Sequence, residues 1–264
     1  MEIIQKCMME LAKLEQVMAI TLGGSRASGL SDKDSDYDIY IYCQEPIPKE
    51  ERKKILENYC NYIELGNTYW EEEDDCRLKT GTVMEIIYRD YASFDRQLIQ
   101  TVIYGNANNG YTTCMWNNLL TSKILYEKEK CYSKLVEKYR VPYPRKLKEA
   151  IIRKNYELLT GYIPSFDEQI KKAYKRKDYI SVNHRITEYV ASYFDLVFAA
   201  NEVLHPGEKR MLSIALDKCE RLPEKIKQIE TMIMESSHPE KALACLEQLT
   251  EDMKKFMIKY NLLP

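Results

Sequence analysis

Two aspartates one residue apart, Asp36 and Asp38, stand in "DYDIYIYC" (36–43), a run of strand composition in which aspartate is disfavoured. In a strand, residues i and i+2 face one side. Both carboxylates therefore project together, and Tyr37 and Ile39 face the other way. Carboxylates that close repel each other, which is costly unless a cation neutralises them. Mg²⁺ suits such a pair, because it takes oxygen ligands and is held by one or two carboxylates plus substrate phosphates. Taken alone, D-x-D also admits a solvated acidic edge as the lesser reading. The segment just upstream, "GGSRASGL" (23–30), tips the balance toward the metal. Its glycines let backbone N–H groups approach an anion closely. Ser25 adds a hydroxyl, and Arg26 a guanidinium suited to phosphate oxygens. The spacing is neither that of the P-loop nor that of the dinucleotide fingerprint. In isolation the loop would be read as a turn. Asp32 and Asp34 read as solvent-facing loop residues.

A third acid, Glu85, sits in "TVMEIIYRD" (82–90), flanked by Met84, Ile86 and Ile87. An acid inside an apolar strand is rarely there for packing, and two-metal phosphoryl chemistry needs a further ligand or a base. Glu85 is expected on a buried side of its strand together with Val83 and Ile87. The competing reading is a sheet-edge glutamate paired with a basic residue. Asp90 reads as a helix cap, and the run Glu71–Asp75 as a solvated face.

These residues need elements to position them. Apolar residues at Ile3, Ile4, Cys7, Met8, Leu11, Leu14 and Met18 are spaced as on a helix. "VMAITLGG" then reads as a short buried strand, 49–60 as a helix and 82–90 as a strand. A helix over 91–104 ends at the glycine- and asparagine-rich turn "YGNANNGY". From Pro142 onward helical patterns dominate, over 144–161, 166–177, 179–203, 207–218, 222–234 and 238–260. They are separated by cap and turn signals such as "HPGE" and "SSHPE". The fold class expected is α+β: a mixed-sheet domain over 1–140, with a connector from about 111, then an all-helical bundle over 141–264.

Composition sets the frame. Across 264 residues, 45% are hydrophobic and 30% charged, which excludes overall disorder. Lys and Arg number 39 and Asp and Glu 41, so the net charge of −2 supplies no global pull toward nucleic acid. The 8 cysteines are scattered without a C-x-x-C pair, and the opening helix lacks a signal peptide's apolar core. No apolar run reaches membrane-span length. A reducing, cytoplasmic setting with free thiols is expected. Tyrosine (21) far outnumbers phenylalanine (5), which reads as amphipathic packing with hydrogen-bonded tips rather than base stacking.

The order strand, "GGS" at 23–25, "DYD" at 36–38 and a later strand acid at Glu85 resembles the DNA polymerase beta-like nucleotidyltransferase superfamily. Within it, "GSRASGLSDKDSDYDIYIY" is similar to the small-molecule branch, which includes aminoglycoside and lincosamide nucleotidyltransferases. The helical segment 178–210, with its "HPGEKR" turn, resembles the tail that accompanies such heads in a bacterial family. The resemblance implies that a nucleoside triphosphate, ATP by expectation, binds with its phosphates on the loop of Gly24, Ser25 and Arg26. It implies one or two Mg²⁺ ions on Asp36 and Asp38, with Glu85 either the third ligand or the general base. A hydroxyl of a small-molecule acceptor attacks the α-phosphorus and pyrophosphate leaves. Lys209, with Arg210, is implied to serve the triphosphate. His184, Arg185 and Glu188, on one helical face by the i, i+4 rule, are candidates for the acceptor pocket, or else form a salt-bridged surface. His205 reads as a loop residue. An antibiotic acceptor is the family-level reading. Transfer to a protein or a tRNA end, or a silent nucleotide-sensing module, are the other readings. The near-neutral charge argues against tRNA, and the intact acids against silence.

Overall fold

The structure is a computed structural model that describes residues 3–28, 35–69, 71–160 and 164–262. The chain divides into two compact units, residues 1–99 with 118–141 and residues 100–117 with 142–264. Asp32 and Asp34 lie outside the described residues.

The first unit is built on a sheet. In chain order it contains α1 (Ile3–Leu11), β1 (Val17–Leu22), α2 (Gly24–Ser28), β2 (Tyr37–Cys43), α3 (Lys49–Leu56), β3 (Cys60–Asn67), β4 (Glu72–Leu78), β5 (Val83–Asp90) and α4 (Tyr91–Leu98). A π-helical turn, Ile99–Ile103, follows α4. The end of α5 (Cys114–Thr121), β6 (Lys123–Glu127) and α6 (Cys131–Tyr139) complete the unit. Strand order is β3-β4-β5-β2-β1-β6. β2 and β5 are parallel and the other pairs antiparallel, so the α+β class holds.

One face of the sheet is apolar. Ile39, Ile41, Met84 and Ile86 bury there against Ile4, Cys7, Met8 and Leu11 of α1. The i, i+3, i+4, i+7 spacing of α1 supplies that stripe. The opposite face carries aromatic packing, with the Tyr42 ring 5.0 Å from Phe94 and 5.1 Å from Tyr132. The period of two therefore sends Asp38, Tyr40 and Tyr42 to one side and Ile39 and Ile41 to the other.

Two readings of the sequence change here. The segment read as a connector from about 111 contains β6, which pairs with β1 through Ala19↔Glu127 and Leu22↔Lys123. Its short "KILYE" run is legible only once an edge is free to receive it. The run Glu71–Asp75 is not a solvated face, for most of it is strand β4. Asp74 is wholly buried, accepting from Tyr88 Oη at 2.9 Å and Gly66 N at 2.7 Å. The equally buried Arg52 of α3 lies between Asp74 (3.4 Å) and Glu72 (3.0 Å). A buried carboxylate needs such a partner. This one comes from a different element, which the local sequence does not reveal. Asp90 caps α4 as read, accepting from Ser93 N at 2.7 Å.

The second unit is helical. α7 (Arg145–Leu159), α8 (Phe166–Lys175), α9 (Tyr179–Ala200), α10 (Met211–Lys218), α11 (Gln228–Met234) and α12 (Pro239–Lys259) lie close to the expected spans. Two helices begin later than their sequence pattern. α10 starts only after Arg210, which is left-handed at φ 61°, and α11 only at Gln228. α9 is buried continuously from Tyr189 to Ala200, the mark of a central helix. The glycine- and asparagine-rich turn is pinned to it. Gly110 (φ 87°) packs so closely that a Cβ there would lie 2.9 Å from Ala191 Cβ. Buried Asp195 accepts from Thr112 N (3.0 Å), Thr112 Oγ1 (2.7 Å) and Asn155 Nδ2 (3.1 Å). Burial raises the Asp195 carboxyl to about 6, while those three donors pull the other way. His205 is a loop residue and is fully buried, its ring edge-on to Tyr111 and Phe198. Burial lowers it to about 3, so it is neutral. Among the described residues no helix is long and apolar enough to cross a membrane.

Asp195→Ala removes the acceptor of Thr112 N and Oγ1, while Asn155 Nδ2 keeps Ile151 O at 3.1 Å, and is expected to cost roughly 3 kcal/mol, read as a shifted midpoint in chemical denaturation. The raised carboxyl also fixes the pH dependence. The native state holds the proton more tightly than the unfolded chain, so this contribution is full below the unfolded value and is lost as pH rises to about 6. The stability gap between wild type and Asp195→Ala should therefore narrow between pH 4 and pH 6, as urea titrations across that range would show.

Candidate active site

β1 delivers the chain to Gly23 and Gly24, and α2 begins at once. The loop is held against β2 by Gly23 N donating to Asp38 O at 2.8 Å. Both glycines are required sterically. A Cβ on Gly23 would lie 2.2 Å from Tyr40 Cε2, and one on Gly24 only 1.6 Å from Asp38 Oδ2. Gly24 also sits at φ 58°, a conformation that side chains disfavour. The Asp38 carboxylate thus rests on the backbone of the loop itself.

Asp38 and Glu85 are direct partners in the parallel β2/β5 ladder, so their side chains share a face. Asp36, two residues before Asp38, joins them. One carboxylate oxygen from each of the three lies within 4.8 Å of the others, and all three residues are half-buried. The Glu85 carboxyl is pushed above its usual range, first by burial and then by Asp36, Asp38, Asp75 and Glu73. The structure corrects one expectation about Glu85. Its side of β5 is not the buried one, for Val83 is 40% exposed while Met84 and Ile86 face the core. Glu85 opens instead onto the acidic face.

That face extends further than the three acids. Asp38, Glu85, Asp75 and Glu64 are successive cross-strand partners on β2, β5, β4 and β3, with Glu73 two residues before Asp75 on the same side of β4. Burial, followed by repulsion from Asp75 on Glu73 and from Glu64 on Asp75, raises the carboxyls of Glu73 and Asp75. At the far end, Arg89 is buried under the Tyr40 ring, its Cζ 4.2 Å from the centroid. Arg89 donates bidentately to Glu71 at 2.9 and 2.7 Å and to Asn118 Oδ1 at 3.0 Å. Burial acts to lower its affinity for the proton, but Glu71 outweighs it and Arg89 stays charged. Tyr40, Arg89, Asp75 and Glu64 were missed by sequence reasoning. Their signal was the same alternation that picked out Asp36 and Asp38, continued along β2 and β5 and across the sheet.

Ser25 and Arg26 follow Gly24 in α2, both half-buried. Arg26 Nε donates to the carbonyls of Ser35 (3.0 Å) and Asp36 (2.9 Å), and Nη2 donates to Ser35 O. Lys209, exposed in the loop before α10, belongs to the second unit. So do His184, Arg185 and Glu188 on α9, where His184 is exposed and the other two half-buried.

Three carboxylates converging within one ligand shell form a hard oxygen donor set, the kind that Mg²⁺ or Mn²⁺ takes. Burial and, after it, the neighbouring acids raise the Glu85 carboxyl, and a cation would relieve the repulsive part. The residues fit a divalent ion. Residues 4–107 match the family model described as the nucleotidyltransferase domain. The N-terminal region is a nucleotidyltransferase domain. No curated protein matches it. Among solved structures, a nucleotidyltransferase-like protein from Exiguobacterium sibiricum is similar at 12% identity and TM-score 0.44, over 98% of this chain and 78% of the other. An aminoglycoside 6-adenyltransferase from Bacillus subtilis is similar at 9% identity and TM-score 0.32, over 100% and 91%. The Thermotoga maritima CCA-adding enzyme follows at 11% and 0.22, over 92% and 78%. These likenesses are distant, and the assignment rests on the family match.

Gly24→Ala should displace the Asp38 carboxylate without unfolding the sheet. Turnover is expected to fall about 100-fold or more while circular dichroism stays that of the wild type. Protons compete with metal for ligating carboxylates. Because Glu85 is raised, Mn²⁺ affinity should begin to fall at a higher pH than for an ordinary glutamate as the solution is acidified, and Glu85→Gln should flatten that dependence.

Proposed function

We propose that this enzyme transfers a nucleoside monophosphate, AMP from ATP, to a hydroxyl of a small cationic acceptor and releases pyrophosphate. The observation that carries the reading is the convergence of Asp36, Asp38 and Glu85 within 4.8 Å, beside a glycine turn that backs directly onto Asp38.

The donor phosphates lie along the turn of Gly24 and Ser25, where backbone N–H groups and the Ser25 hydroxyl are donors for anionic oxygens. Asp36 and Asp38, with Glu85, would hold Mg²⁺, which would neutralise charge on the phosphate oxygens. The acceptor oxygen forms a bond to the α-phosphorus as the bond from that phosphorus to the bridging oxygen of the β-phosphate breaks. Glu85, raised above an ordinary carboxylate, is suited to take the hydroxyl proton when it is not a ligand. Catalysis is otherwise positioning and charge neutralisation.

The acceptor class follows from the row Asp38, Glu85, Asp75 and Glu64. Four carboxylates side by side, with Glu73 adjacent, favour a hydroxylated acceptor that carries amines, such as an aminoglycoside. With a net charge of only −2 over the chain, the attraction is local to this face. An anionic tRNA end would be repelled by the same row, which supports the small-molecule reading over transfer to nucleic acid. The 8 unbridged cysteines fit a reducing cytoplasm. Burial pushes the Cys7 and Cys43 thiols up to about 12, so they stay protonated.

Calorimetric titration with Mg-ATP followed by a pyrophosphate-release assay tests the reading. Amine-bearing and uncharged polyols serve as acceptors. Release that depends on an amine-bearing acceptor is the expected result, whereas binding without release from any acceptor would reduce the chain to a nucleotide sensor. Asp38→Ala should lower release by on the order of 1,000-fold with an unchanged thermal melt. Glu64→Gln combined with Asp75→Asn should raise the acceptor KM while leaving the ATP KM in place.

A further inference from the structure

The β2/β5 ladder begins at Tyr37↔Met84 and continues through Asp38↔Glu85. It fixes Asp38 and Glu85 but not Asp36, which stands one residue before the first rung. A carboxylate on an unpaired strand entrance has no ladder to aim it. Yet its oxygen lies in the same cluster as those of the other two acids.

Arg26 supplies the missing restraint. Its Nε donates to the carbonyls of Ser35 at 3.0 Å and Asp36 at 2.9 Å, and Nη2 closes onto Ser35 O. The guanidinium Cζ lies over the ring of Tyr37, the residue between the two aspartates, 4.1 Å from its centroid. The backbone of Arg26 is tied in turn, its carbonyl accepting from Lys123 Nζ at 3.2 Å. A planar fork that bonds two successive carbonyls while stacking on the next side chain is a use for arginine that lysine cannot copy.

We propose that Arg26 is a positioning residue for the metal site: it clamps the chain at Ser35 and Asp36 so that Asp36 meets Asp38 and Glu85 in one ligand shell. It thereby acts on the cation through Asp36 rather than on the donor phosphates. The inference rests on the metal reading of the site given above.

Charge makes the test sharp. A cation removed from the neighbourhood of three carboxylates should, by electrostatics alone, tighten divalent binding. A clamp removed should weaken it. Direct Mn²⁺ binding to the full chain without nucleotide, followed by electron paramagnetic resonance, separates these outcomes, with Asp38→Ala as the control that loses the ion. Arg26→Met, and equally Arg26→Lys despite its retained charge, should weaken Mn²⁺ by about 10- to 100-fold, as loss of a supporting residue behind a metal ligand does. The Mg²⁺ needed for half-maximal pyrophosphate release should rise in step, with the nucleotide KM at saturating Mg²⁺ unmoved. Tyr37→Leu, which removes only the stack, should shift both in the same direction by less. This milder variant keeps the test open should the Arg26 variants fold poorly. Wild-type Mn²⁺ affinity in Arg26→Met together with a raised nucleotide KM would overturn the proposal and make Arg26 a phosphate ligand. Tighter Mn²⁺ binding would overturn it in favour of a charge effect. Absence of Mn²⁺ binding in the wild type would instead overturn the metal reading on which the proposal rests.

Discussion

The parallel register that sets Asp38 opposite Glu85 is the constraint around which the sheet unit is organised. It holds two carboxylates side by side, and a third arrives from the strand entrance. Left to themselves, like charges so close would splay apart or take up protons. The Glu85 carboxyl is raised by burial first and by that repulsion second. Everything around the triad keeps it in place. The ladder fixes two of its members, and the core beneath fixes the ladder through Ile39, Ile41, Met84 and Ile86.

The loop before β2 is fitted to the same constraint. Gly24 lies so close to Asp38 that no side chain can be added, and Gly23 bonds to the Asp38 carbonyl. The glycine turn and Asp38 are therefore one assembly, bonded through backbone rather than through flexible side chains. That matters for a reaction in which the protein contributes chiefly placement. Arg26 extends the same logic to the unpaired end of the strand.

Two buried arginines balance the acidic sheet. Arg52 lies under Tyr88 between Asp74 and Glu72 on the core side. Arg89 lies under Tyr40 and binds Glu71 on the other. With those cations committed, Glu73, Asp75 and Glu85 share the other face, and all three carboxyls are raised, first by burial and then by neighbouring acids. The negative potential is therefore concentrated on the face that carries the triad, while the chain as a whole stays near neutral.

The sequence by itself determined the elements nearest the chemistry. Period-two alternation in "DYDIYIYC" places Asp36 and Asp38 on one side of a strand, and an acid amid Met84, Ile86 and Ile87 is conspicuous because local context is apolar. The 3.6-residue stripes of α1, α7, α8, α9 and α12 are equally local signals. The rest depended on partners distant in the chain. Glu71–Asp75 looks like a solvated run until Arg52 and Arg89 are brought to it. "KILYE" is a strand only because β1 leaves an edge open, and α10 starts late because Arg210 turns left-handed before it. The face on which Glu85 opens was decided by which side of β5 the helices cover. Alternation along a strand fixes which residues share a side. Only the packing of other elements determines which side is buried, and which charges find a counter-ion there.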